Sequence, residues 1–223
     1  MAKRRRTSRA RARPARRRAA RRRSALFAWP LIVAAFALAA VGLGWLDSWR
    51  PRAPRPVALP LSAEAARAAN EAMPFHRERR RAAARYRFRG GDAERAQAIE
   101  CLATAALYEA GDDRRGQRAV IQVILNRVRA RGYPKTICGV VYQGSARDTG
   151  CQFSFTCDGS FLRRPVHRGW ASARRAARRA LAGEVFAEVG GATHYHTDWM
   201  VPYWRNSLVK VARVGTHLFY VRA

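Results

Sequence analysis

Acidic residues are scarce in this chain: 15 Asp and Glu stand against 44 Lys and Arg in 223 residues, a formal net charge of +29. Residues 24 to 46 carry no charge at all. Also missing are GxSxG, a Walker loop, GxGxxG and HExxH, so the readily legible nucleophile-elbow hydrolases, P-loop enzymes, dinucleotide-binding enzymes and zincins are set aside. The four cysteines, Cys101, Cys138, Cys151 and Cys157, contain no CxxC pair, which argues against a zinc cluster. No period of 20 to 50 residues repeats, which excludes a solenoid.

What is present divides into zones. Residues 1 to 23 hold thirteen Lys and Arg and no acid, with almost nothing to bury. Such a segment stays unfolded, and read alone it would suit nucleic acid. The next stretch, "ALFAWPLIVAAFALAAVGLGWL" (25–46), is long enough to cross about 30 Å of hydrocarbon, with Trp29 and Trp45 near its ends as interfacial anchors. The excess of Lys and Arg before it places the N-terminus in the cytoplasm and the remainder outside, so the basic run reads as a topology signal and no nucleic-acid partner is expected. A cleaved signal peptide is the rival reading, since "ALA" at 37–39 fits a cleavage site. The expected organisation is a basic cytoplasmic tail (1–24), a single-pass inner-membrane anchor (25–46), a linker or stalk rich in Pro, Ala and Arg (47–96) and a catalytic domain (97–223). An even number of cysteines on the exported side favours disulfides, of which four cysteines allow three pairings.

Within the last zone, Ile99, Leu102, Ala106 and Glu109 recur on one side of a helix that Gly111 ends. "GQRAVIQVILNRVRARG" predicts a largely buried helix, and "PVHRGWASARRAARRALAG" an amphipathic one. "CQFSFTCDGS" alternates like a short strand, and "ATHYHT", "LVKVARVG" and "HLFYV" read as three more. Helices followed by a small antiparallel sheet predict an α+β domain.

Glu109 closes an apolar run at a helix C-terminus. The negative end of the helix dipole and its apolar neighbours both favour the protonated carboxyl, which suits a general acid. The same spacing also suits a solvated glutamate in a last turn. His194 and His196 share a strand face and with His217 could form a metal site. The surrounding Tyr195, Trp199, Tyr203, Trp204, Phe219 and Tyr220 instead suit a sugar-stacking cleft lined by His194 and His196.

"LATAALYEAGDDRRGQRAVIQVILNRV", "YPKTICGVVYQ", "CQFSFTCDG", "GGATHYHTDWMVPYW" and "GTHLFYV", in that order, resemble the SleB-type cell wall hydrolases, whose namesakes are spore cortex-lytic enzymes. The resemblance implies a lysozyme-like, lytic-transglycosylase-like fold acting on peptidoglycan glycan strands without a cofactor. It implies Glu109 of Tyr108-Glu109-Ala110 as the catalytic acid, and substrate contacts at Tyr108, Gln152, Phe153, Ser154, Tyr195 and His196, with Tyr203 and Trp204 beside them. The absence of peptidoglycan-binding repeats and the presence of an anchor depart from the spore enzymes. An amidase cutting the sugar-peptide bond and a non-catalytic wall-binding protein are the alternatives.

Overall fold

The computed structural model describes residues 61–147, 150–160 and 168–223. The expected tail and anchor, and the linker up to residue 60, lie outside these residues. Among the described residues no helix is long and apolar enough to cross a membrane.

Among the described residues five α-helices precede a three-stranded sheet: α1 (Ala63–Glu71), α2 (Asp92–Ala110), α3 (Arg114–Arg129), α4 (Ile137–Val141), α5 (Trp170–Leu181), β1 (His194–Thr197), β2 (Val209–Val214) and β3 (His217–Val221). The antiparallel sheet has order β1-β3-β2. This is the expected helical domain with a small antiparallel sheet. Helix boundaries follow local chemistry. The Glu94 side chain reaches back to the Gly91 N–H at the start of α2, the Asp113 carboxylate caps α3 through the Arg115 N–H, and the Thr136 hydroxyl caps α4 through the Gly139 N–H. Gly111, at φ 53°, stops α2 in a conformation open to glycine.

Helix α3 is the hub. Val120, Ile121, Val123, Ile124, Leu125 and Val128 are buried, and so are Gln117, Gln122, Asn126 and Arg127. Most of these buried polar groups, Arg127 Nη1 excepted, find partners, largely backbone groups distant in sequence. Asn126 donates to the Gly190 and Ala192 carbonyls at 2.8 Å, the Gln122 side-chain oxygen Oε1 accepts the Phe186 N–H at 2.9 Å, and Arg127 Nε donates to the Thr193 carbonyl at 2.7 Å. One helix therefore fixes the whole approach to β1.

Two disulfides are present. Cys101–Cys138 joins α2 to α4, and Cys151–Cys157 closes a short loop; no free cysteine remains. The second bridge explains one correction. "CQFSFTCDGS" is not a strand but a loop with a 3-10 turn at Ser154–Thr156. Six residues of strand would separate Cys151 and Cys157 by about 20 Å, whereas their Cα atoms lie 6.3 Å apart. The alternation that suggested a strand arises because Phe153 and Phe155 both turn into the core.

Residues 63–96 supply a second correction. Expected as a stalk, they pack on the domain. Asn70, 2% exposed, donates to the Asp198 and Met200 carbonyls, and its own carbonyl accepts from Lys210 Nζ at 2.7 Å. Arg129 donates to the Ala84 and Arg85 carbonyls. These partners are distant in sequence, so composition alone made the segment look solvated.

Candidate active site

Glu109 sits in the last turn of α2, half-buried, above the apolar pair Leu102 and Ala106. Across from it, the Tyr195 hydroxyl on β1 donates to Glu109 Oε2 at 2.9 Å. Burial pushes the Glu109 carboxyl above its ordinary range. The Tyr195 hydrogen bond and the Arg127 charge pull it down, and the Asp158 charge adds to the rise. Desolvation prevails, as expected for a carboxyl taken out of water with only partial compensation. Tyr195 in turn is held well above the usual phenol value, by burial first and then by the Glu109 charge, so it remains a hydroxyl donor.

Strand register decides which side chains meet Glu109. Tyr195 lies opposite Phe219 and packs against Phe219 and His217, on the face toward Val123 of α3. His194 and His196 point the other way, as period two requires. His196 is 5% exposed, its ring against Trp204 and stacked on Tyr220. Its Nδ1–H donates to the Thr197 carbonyl at 2.9 Å, a tautomer that leaves Nε2 to accept the Tyr220 hydroxyl at 2.8 Å. His196 is thus a satisfied core residue that does not join Glu109, and the expected lining of the cleft by His194 and His196 is reversed: Tyr195 is the member of that strand that reaches the carboxyl. His217 lies on the Tyr195 face, so the three histidines do not converge. Among the described residues no group of three His, Cys, Asp or Glu side chains is placed to hold a metal.

The loop closed by Cys151–Cys157 supplies another wall. Tyr108 stacks on Phe155 with ring centroids 4.4 Å apart, and its hydroxyl donates to the Ser160 carbonyl at 3.1 Å. Phe153 is buried beneath this layer, Gln152 is half-buried with its N–H on the Gln143 carbonyl, and Ser154 is exposed, its carbonyl accepting the Cys157 and Asp158 N–H groups. The Asp158 carboxylate receives the Ser160 N–H at 2.8 Å. Tyr203 is 99% exposed, whereas Trp204 packs on His194, His196 and Tyr220. Tyr108, Tyr195 and the 152–160 loop therefore gather near Glu109, while His196 and Trp204 belong to the opposite sheet face.

Sequence reasoning missed Arg127. It is 4% exposed, and its guanidinium carbon lies 5.7 Å from the Tyr133 ring centre, 5.6 Å from Phe153 and 5.8 Å from Tyr195. No local signal singled it out, since the same helix carries Arg114, Arg115, Arg118 and Arg129 as well. His194, beside Tyr133, is pushed down to about 4, by burial and then by the Arg127 and Arg222 charges.

Residues 111–220 match the family model described as Cell Wall Hydrolase. Over these residues the chain is similar to the cell wall hydrolases of the SleB type. It is 34% identical over 123 residues to the spore cortex-lytic enzyme of Halalkalibacterium halodurans, covering 54% of this chain and 34% of that protein. The spore cortex-lytic enzyme of Bacillus cereus is 29% identical over 123 residues, 54% of this chain and 43% of its own length. The chain thus spans less than half of these curated relatives. Among solved structures, the catalytic domain of Bacillus cereus SleB aligns with 60% of this chain and 95% of its own at 26% identity and a TM-score of 0.47. The family match begins two residues after Glu109, so the reading of Glu109 rests on its surroundings.

Proposed function

We propose that this protein cleaves peptidoglycan glycan strands between amino sugars, with Glu109 as general acid and then general base. The observation that carries the reading is a carboxyl raised by burial and oriented by the Tyr195 hydroxyl, at the edge of an aromatic loop, within a domain similar to the cell wall hydrolases. Protonated Glu109 gives its proton to the glycosidic oxygen as the C1–O bond breaks, and the sugar left behind acquires oxocarbenium character. The resulting Glu109 carboxylate then takes the proton of the same sugar's C6 hydroxyl while that oxygen bonds to C1. Glu109 is restored and the product is a 1,6-anhydro-muramic acid end. The alternative within this chemistry is hydrolysis, which needs a second carboxylate to activate water. Asp158 is the candidate, since its charge is felt at Glu109, but one of its oxygens already holds the Ser160 N–H.

The location belongs to the same proposal: an N-terminal anchor in the inner membrane and the domain on its outer side. The complete pairing of the four cysteines supports an oxidising compartment, and phosphatase fusions at both termini test the topology. The decisive experiment for the reaction is mass analysis of muropeptides released by the protein. Anhydro ends are expected. Reducing ends alone would retain Glu109 and transfer the water-activating role to Asp158, and residual cleavage by folded Glu109→Gln near the wild-type rate would overturn the assignment, because loss of a positioned proton donor costs about 10²-fold to 10⁴-fold.

A further inference from the structure

Arg127 lies too deep to be an ordinary surface charge. Its Nε is committed to the Thr193 carbonyl at 2.7 Å, and its buried Nη1 has no hydrogen-bond partner among the described residues. No carboxylate of the described residues forms an ion pair with it. Instead three aromatic rings surround the guanidinium, those of Tyr133, Phe153 and Tyr195. A cation taken from water without a direct counter-ion is costly to the fold, and structural ties to the Thr193 carbonyl and the Tyr133 hydroxyl could be made by a neutral donor. The cost needs another explanation, and the arrangement offers one. Tyr195 presents its ring to Arg127 and its hydroxyl to Glu109.

We propose that Arg127 is a positioning residue for Glu109, acting through Tyr195: it holds the Tyr195 ring so that the hydroxyl stays on the carboxyl, and it supplies the positive charge that accommodates the Glu109 carboxylate formed after proton donation. The proposal deepens the glycan-cleaving reading and its role in turnover rests on that reading, but the link between Arg127 and Glu109 exists in the resting protein. Favourable interaction with a planar guanidinium over aromatic faces explains why arginine suits this place. The groups facing Glu109 are Tyr195 from β1, Arg127 from α3 and Asp158 from the disulfide loop. Those facing Arg127 are Tyr195, Tyr133 and Glu109, and His194 feels its charge. The Arg127 charge opposes the burial of Glu109, so removing it leaves desolvation less opposed.

The test needs no substrate. In the full chain labelled with ¹³C at glutamate carboxyls, the Glu109 signal, assigned by its loss in Glu109→Gln, is titrated in the wild type, in Arg127→Gln and in Arg127→Lys. Arg127→Gln is expected to raise the Glu109 midpoint by about one pH unit, with Arg127→Lys restoring much of it. An unchanged midpoint in folded Arg127→Gln overturns the proposal, and it does so whether or not the protein cleaves glycan. Where Arg127→Gln does not fold, a rate cycle of Arg127→Lys with Tyr195→Phe decides. The rate loss caused by Arg127→Lys is expected to shrink when Tyr195 has no hydroxyl, and fully independent losses overturn the action through Tyr195.

Discussion

Tyr195 and Glu109 meet across 86 residues of chain, hydroxyl to carboxylate oxygen at 2.9 Å. The contact joins the last turn of α2 to the first strand of the sheet, and it is the one direct hydrogen bond that orients the acid among the described residues. It has a measurable consequence for pH dependence. Donation from Tyr195 favours ionised Glu109 and so opposes the rise that burial causes.

Tyr195→Phe should therefore raise the Glu109 value further. The reaction begins from protonated Glu109, so the alkaline limb of its pH-rate profile should move to higher pH. Loss of a hydrogen bond to a charged group is worth about 1.5 to 3 kcal/mol, and the rate at the optimum should fall about tenfold to a hundredfold. Muropeptide release measured from pH 4 to 9 checks both. An alkaline limb that moves down in pH would contradict the geometry.

The disulfides should differ in weight. Cys101–Cys138 spans 37 residues of sequence and Cys151–Cys157 spans 6. Loop-closure entropy gives about 4 kcal/mol for the former and about 2 kcal/mol for the latter. Denaturant unfolding of Cys101→Ala/Cys138→Ala should show the larger loss. Removal of the Cys151–Cys157 bridge should act chiefly on cleavage, because that loop carries Phe155, the partner of Tyr108.

Much of the fold was legible because its signals are local. The apolar period of α3 and the short aromatic and branched runs of β2 and β3 each declare an element without reference to the rest of the chain. The 152–158 loop was misread since a disulfide overrides alternation. The segment around Asn70 was misread since its partners, Asp198 and Lys210, lie 128 and 140 residues away. Within the site, Glu109 was conspicuous as an acid in an apolar run. Arg127 was hidden by the abundance of arginine: among 44 basic residues, nothing local marks the one that is buried beneath three rings. Strand alternation put Tyr195 opposite His194 and His196, but which face would meet α2 depends on how the sheet packs on α3, and no local pattern carries that.

The Asn70 cluster gives a stability prediction. Its side chain and carbonyl serve Asp198, Met200, Arg205 and Lys210. Replacing it with Ala strands buried carbonyls, at about 1 to 3 kcal/mol for each group left unsatisfied. Asn70→Ala should lower the melting temperature by several degrees, and a fragment beginning at residue 92 should be less stable still, both read by thermal unfolding. A fragment from residue 92 as stable as the full chain would show that the packed segment 61–91 contributes nothing.

The last prediction concerns Glu109 and stability. Its folded value is raised above the ordinary 4.5 by burial, so between that value and the folded one the native state holds a proton that the unfolded chain has released. Stability contributed by this group is present at low pH and falls as pH rises through the folded value. Above the unfolded value the wild type thus carries a cost, for the proton retained or for the carboxylate desolvated, that a neutral amide of the same shape avoids, while the amide oxygen can still accept the Tyr195 hydroxyl. Glu109→Gln should unfold at higher temperature than the wild type at pH 7, by about 2 to 4 °C for each kcal/mol recovered in a domain of this size. The difference should vanish near pH 4, where both side chains are neutral. Calorimetric scans of the two proteins at pH 4, 5.5 and 7 read this directly. A Glu109→Gln protein equally or less stable at pH 7, with no dependence of the difference on pH, would show that Glu109 is an ordinary solvated carboxylate and would remove the basis for treating it as the acid.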